Sequence, residues 1–101
     1  MGNTTNDLVD EVKKHAHITD YGVAKKLGIT PQAISSYRKG RTTRISDENA
    51  VKLCAMIGKD PAPILALLAA ERAERSRKYE LARIWRDSAK RLARRKGGKA
   101  A

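Results

Sequence analysis

The chain has no phenylalanine, one cysteine, three prolines and only 4% aromatic residues. Without phenylalanine its core has to be aliphatic and rich in alanine. The lone Cys54 cannot close an internal disulfide, and it has no second cysteine with which to build a zinc site. Long apolar runs are missing too. The longest, Pro63 to Ala70, falls well short of the roughly 20 residues that cross a bilayer. No N-terminal segment joins a charged start to an apolar middle and a small-residue cleavage site, so a cytoplasmic location without a membrane partner is expected. Carboxylates are scarce, at 11 Asp and Glu against 22 Lys and Arg. There is no plausible Ser/His/Asp or Cys/His set and no glycine-rich phosphate loop, which argues against an enzyme. His15 and His17 lie two apart, about 200° around a helix, so no metal is expected there, and no cofactor is implied.

What is present is positive charge. The net charge is +11 over 101 residues, and nucleic acid is the default partner for so basic a chain. The charge is uneven: residues 1–70 hold 10 basic and 7 acidic side chains, residues 71–101 hold 12 and 4. A chain this short buries only about two-thirds of its unfolded surface, which allows one domain and no two-lobed cleft.

Strand signals are absent, and short helical patterns follow one another. Leu8, Val12 and Val9 mark a first helix, capped by Thr5 or Asn6. Thr19 caps a second, which Gly28 stops after Leu27. Thr30 and Pro31 read as cap and first residue of a third, ending at Gly40, because the proline lacks an N–H that would be unpaired there anyway. Ser46 caps a fourth with Asp47 and Glu48 in its first turn, an apolar side of Ala50, Val51, Cys54 and Ile57, and a stop at Gly58. Asp60-Pro61 opens a fifth carrying Ile64, Leu65, Leu67 and Leu68. Beyond the charged stretch Glu71–Lys78 comes a stripe of Leu81, Ile84, Trp85, Ser88 and Leu92 opposite Arg83, Arg86, Lys90 and Arg94. That stripe predicts a sixth helix or an extension of the fifth, followed by a flexible tail over residues 97–101.

Residues 20–40, DYGVAKKLGITPQAISSYRKG, carry the functional signal. Two helices joined by a tight turn need a small residue at their crossing, a residue that tolerates positive φ in the turn, and apolar side chains beneath. Ala24 supplies the first, Gly28 the second, and Val23, Leu27, Ile29, Ile34 and Tyr37 the third. The spacing is that of a helix-turn-helix, whose second helix enters the major groove N-terminus first. By spacing, Val23, Leu27, Ile34, Tyr37, Val51, Cys54 and Ile57 form the core.

On Ala24, Gly28, the T-x-Q-x-I-S start of Thr30, Gln32, Ile34 and Ser35, and the closing Gly40, the stretch resembles lambda-repressor-like, Cro-type phage regulators. The tail, through Glu71, Arg72, Ala73 and Trp85, is similar to that of small regulators of filamentous phages and prophages. The resemblance implies an all-α fold, with a five-helix DNA-binding domain over residues 5–70 and a basic amphipathic helix over 71–96. It also implies a transcriptional regulator, in the first instance a phage repressor, acting as a homodimer on a palindromic operator in double-stranded DNA. Carried over position by position, Thr30, Pro31, Gln32, Ser35 and Ser36 face base edges. Gln32 is the best reader, because its amide can pair with adenine N6 and N7 together. Pro31 stands where relatives carry glutamine or arginine, and Asp20 where a phosphate-clamping glutamine is common. The phosphate contacts expected are Thr19, Lys25, Lys26, Arg38, Lys39, Arg41 and Arg44.

For the C-terminal helix, pairing with a second subunit through Ile64, Leu68, Leu81, Ile84, Trp85 and Leu92 is favoured. Packing within one subunit is the next reading, then binding to a membrane surface or a foreign protein. The alternative function is a protein-interaction module, such as an antitoxin or antirepressor-like partner, in which DNA binding is secondary. The lack of interleaved aromatics argues against single-strand stacking.

Overall fold

The computed structural model describes residues 3–39 and 44–99, of which 95–99 are described by their backbone alone. Among the described residues there are six helices and no strand: α1 (Thr4–Ala16), α2 (Asp20–Leu27), α3 (Pro31–Lys39), α4 (Asp47–Met56), α5 (Pro61–Arg75) and α6 (Tyr79–Lys99). The fold class is all-α, as expected. No described helix is long and apolar enough to cross a membrane. Contacts divide the chain into two compact units, residues 1–59 and 60–101. The boundary placed near residue 70 by sequence falls inside the continuous helix α5.

In the first unit α1 packs on α2, α3 and α4, and α2 packs on α3 and α4. Leu8, Val9, Val12, Val23, Ala24, Leu27, Ile34, Ile45, Leu53 and Cys54 are buried, and Tyr37 is the aromatic that joins them. Fully burying each large aliphatic side chain contributes about 1.5–3 kcal/mol. Two expectations are corrected here. Along α4 the buried side is Ala50, Leu53 and Cys54, which leaves Val51 exposed and Ile57 half-buried. At the start of α1 the cap is Asn3, whose side chain accepts from the Asn6 N–H at 3.0 Å. Thr5 turns inward instead, and its hydroxyl accepts from the Ile45 N–H at 3.2 Å. That bond pins the segment entering α4 against α1.

Helix ends follow a common device, a residue in the left-handed region that lets the next two amides close on the last carbonyls. Gly28 (φ +71°) and Gly58 (φ +66°) do this without a Cβ penalty. His17 (φ 56°) does it for α1, which accounts for a histidine outside any ligand cluster. Arg77 (φ 60°) does it for α5, with its own N–H on the Glu74 carbonyl (2.9 Å) and the Lys78 N–H on Ala73 (2.8 Å).

The second unit is a helical hairpin. α5 opens with Asp60 capping the Ala62 N–H (3.1 Å) and Pro61 in the first turn. The turn at residues 76–78 separates α5 from α6, so the sixth helix is no extension of the fifth. Within this unit α6 packs on α5, and its buried positions are Ala82 and Ala89, seven residues apart. On α5, Ala66, Ala70 and Ala73 are buried on one side, Ile64 and Leu68 on another. An alanine seam thus joins the two helices, and Glu74 and Arg86 tie across it at 2.6 Å. α6 runs through Lys99, into residues that the sequence reading assigns to a tail.

Candidate nucleic-acid interface

The two helices at the centre of the first unit are punctuated by the residues that the sequence singles out. The Thr19 hydroxyl accepts from the Gly22 N–H (3.2 Å) to start α2. After Leu27 the turn closes with the Gly28 N–H on Lys25 (3.2 Å) and the Ile29 N–H on Ala24 (3.0 Å). The Thr30 hydroxyl then accepts from the Ala33 N–H (3.2 Å), and Pro31 begins α3. Both threonine hydroxyls act as acceptors here and retain an O–H to donate outward.

The inner side of α3 is Ile34 and Tyr37, both buried, and burial pushes the Tyr37 hydroxyl pKa up. At about 100° per residue, Gln32, Ser35, Ser36 and Lys39 fall together on the opposite side. Thr30, Pro31, Gln32, Ser35 and Lys39 are exposed and Ser36 is half-buried. Of the expected base-reading residues, the structure places Gln32, Ser35 and Ser36 on one side of α3, with Thr30 and Pro31 at its N-terminal end. Lys25 and Lys26 are exposed on α2, and Arg44 is half-buried before α4. Arg41, like Gly40, lies outside the described residues.

Arg38 has a different set of partners from the phosphate expected of it. Its Nε and Nη2 donate to the two carboxylate oxygens of Asp20 (3.1 and 2.8 Å), and Nη2 also reaches Asp10 Oδ1 at 2.6 Å. Lys13 Nζ lies 3.0 Å from Asp20 Oδ1. Four charges from α1, α2 and α3 thus hold one another. The hydrogen bond from Arg38 dominates in lowering the Asp20 pKa to about 2, helped by Lys13 and opposed by partial burial. The carboxylate where a phosphate clamp is common is neutralised inside the unit. Asp10 was not legible as a member of this group, because it lies 28 residues from Arg38.

Sequence reasoning also passed over Tyr21. It is an exposed aromatic lining a shallow groove with Asp20, Pro31, Ile34, Ser35 and Arg38. On its other side it lines a second groove with Ala24, Lys25, Ile29 and Pro31. Its position next to the start of α2 is visible in the sequence, but its standing beside Pro31 depends on how α2 crosses α3.

The helix-turn-helix family profile matches residues 11–64, more than half of the chain and all of this arrangement. The chain belongs to the lambda-repressor/Cro-like helix-turn-helix family. This family member is a DNA-binding regulatory protein and not an enzyme. Protein Gp-c of Pseudoalteromonas phage PM2, itself uncharacterised, is 40% identical over 88 residues, covering 84% of this chain and 94% of that one. No solved structure gives a significant match.

The residues expected at a subunit interface are divided. Ile64 and Leu68 are buried within a single chain. Leu81, Ile84 and Trp85 remain 42%, 50% and 39% exposed on one side of α6, and Leu92 is half-buried nearby. The stripe that the sequence marks for burial is therefore only partly covered by α5: Leu81 and Trp85 line a groove with Ala69 and Ala73, while the alanines at 82 and 89 are the buried positions.

Proposed function

We propose that this helix-turn-helix protein is a transcriptional repressor of phage type, acting as a homodimer on a palindromic operator. The observation that carries the reading is the outward side of α3, where Gln32, Ser35, Ser36 and Lys39 stand opposite the buried Ile34 and Tyr37. Laid N-terminus first in the major groove, that side directs the Gln32 amide at an adenine edge. Ser35 and Ser36 have short reach and meet a base edge, water or phosphate. Thr30 and Pro31 sit at the entering end, the proline suited to a thymine methyl. Thr19, Lys25, Lys26, Lys39, Arg41 and Arg44 supply phosphate contacts that set register. Arg38, engaged with Asp10 and Asp20, acts instead as a brace that fixes the tilt of α3 against α1 and α2.

A dimer is supported by the exposed Leu81, Ile84 and Trp85, and the phage protein related over most of both chains supports the setting. The test is binding to a duplex selected from a random-sequence pool. Gln32→Ala should lose about 1–3 kcal/mol on the selected duplex and little on unselected DNA. Equal losses on both would show that Gln32 reads no base.

A further inference from the structure

We infer that α6 carries a second duplex-binding surface, formed by Lys90 and Arg94 with Arg83 beside them, which holds DNA phosphates independently of α3. The inference rests on the reading of the chain as a DNA binder and adds to it a site outside the helix-turn-helix. Charge placement is the first argument. Residues 1–59 carry 10 basic and 6 acidic side chains, and three of those cations (Lys13, Arg38 and Lys59) are paired with Asp20, Asp10 and Glu11 in the same unit. Residues 60–101 carry 12 basic and 5 acidic side chains, and here Arg83 and Arg86 are paired with Glu80 and Glu74, so the net charge is +7 against +4. Most of the molecule's attraction for a polyanion thus resides in the hairpin.

Geometry is the second argument. The surface of α6 divides three ways at about 100° per residue. One side, Ala82 and Ala89, is buried on α5. The second is the apolar stripe of Leu81, Ile84 and Trp85. The third brings Arg83, Lys90 and Arg94 within roughly 40° of one another, all exposed, with Glu80 and Asp87 along one edge. Arg83 is held by Glu80 (2.8 Å), while Lys90 and Arg94 face solvent. Lys90 and Arg94 are about 6 Å apart along the axis, close to two phosphate steps of one strand. Because the cations stand apart from the apolar stripe, a second copy on the stripe and a duplex on the cations do not compete for the same side chains. An anionic lipid surface would need both sides of the helix at once.

The experiment compares the salt dependence of binding to the selected duplex for the 101-residue chain and two variants. One is Lys90→Gln/Arg94→Gln. The control is Lys14→Gln/Lys52→Gln, which removes two exposed lysines from α1 and α4. Circular dichroism verifies that each variant keeps its helix content. The α6 variant is expected to flatten the slope of log K against log salt by about 1.8 per bound subunit, so its deficit shrinks roughly 12-fold for one subunit and roughly 150-fold for a dimer between 50 and 200 mM. The control is expected to match wild type. Equal slopes for the α6 variant and the control would overturn the inference. Equal slopes with selective loss of binding to phosphatidylserine vesicles would do the same and assign the surface to lipid. If wild type enriches no duplex, the DNA-binding reading falls first and this surface with it.

Discussion

At the scale of single side chains, two residues of the first unit make opposite use of exposure. Tyr21 keeps 65% of its surface open beside Pro31, at the end of α3 that the proposed function places in a groove. An exposed ring with a donor hydroxyl at that place is expected to be covered by DNA. Nitration followed by mass spectrometry checks this. In the free protein Tyr21 and the equally open Tyr79 should react, and the buried Tyr37 should not. The selected duplex should protect Tyr21 several-fold, and protection of Tyr79 as well would report contact at α6. Asp20 is turned to internal pairing, and its effect is legible in pH. Its folded pKa, about 2, lies below the ordinary 3.8, so its stabilisation is present above about pH 4 and lost as pH falls toward 2. The side chain is 38% exposed, so solvent screening reduces the contribution to on the order of 1 kcal/mol. Asp20→Asn should melt below wild type at pH 5, and the gap should close by pH 2. A gap independent of pH would assign the loss to packing.

At the scale of elements, the ends of helices were easier to read than their faces. Thr19, Gly28 and Thr30-Pro31 are local signals, since a cap or a left-handed residue acts on amides two to four positions away, and the structure uses each of them. Thr5 and Asn6 do not stand out as the wrong caps because four cap-type side chains, Asn3 to Asn6, follow one another, and only the fold shows that Thr5 is needed inside to meet Ile45. On α4, Val51 keeps helical spacing with Cys54 while Leu53 keeps it with Ala50 and Ile57, so the pattern alone does not choose between them. On α6 the leucine, isoleucine and tryptophan outweigh alanine in any hydrophobic pattern, yet Ala82 and Ala89 are the residues small enough for close approach to α5. Arg38 finds its partners 18 and 28 residues away, beyond any local signal. Turn chemistry carries its own prediction. Arg77 holds a left-handed conformation that costs a non-glycine residue roughly 1–2 kcal/mol. Part of that gain is offset by glycine's freedom in the unfolded chain, so Arg77→Gly should stabilise by about 0.5–1 kcal/mol. A higher urea midpoint with unchanged slope would be the sign of it.

At the scale of the whole molecule, a small reading unit is joined to a more highly charged hairpin. If two copies join through the stripe, Ile84→Glu with Trp85→Glu should sediment as a monomer while keeping its helix content. Unchanged dimer mass in the folded variant would place the interface elsewhere. A dimer making about 6–10 phosphate contacts should lose roughly 10³–10⁵ in affinity between 50 and 200 mM salt.

The chain's only indole happens to belong to that stripe, partly open to water and absent from the helices that carry the reading residues. The indole is therefore a native optical probe of the proposed dimer. Dilution that separates two copies should shift the emission toward the red, with no label attached. A titration with DNA that leaves the colour unchanged would mean that the two copies are already joined, or that both remain apart, when the groove is filled.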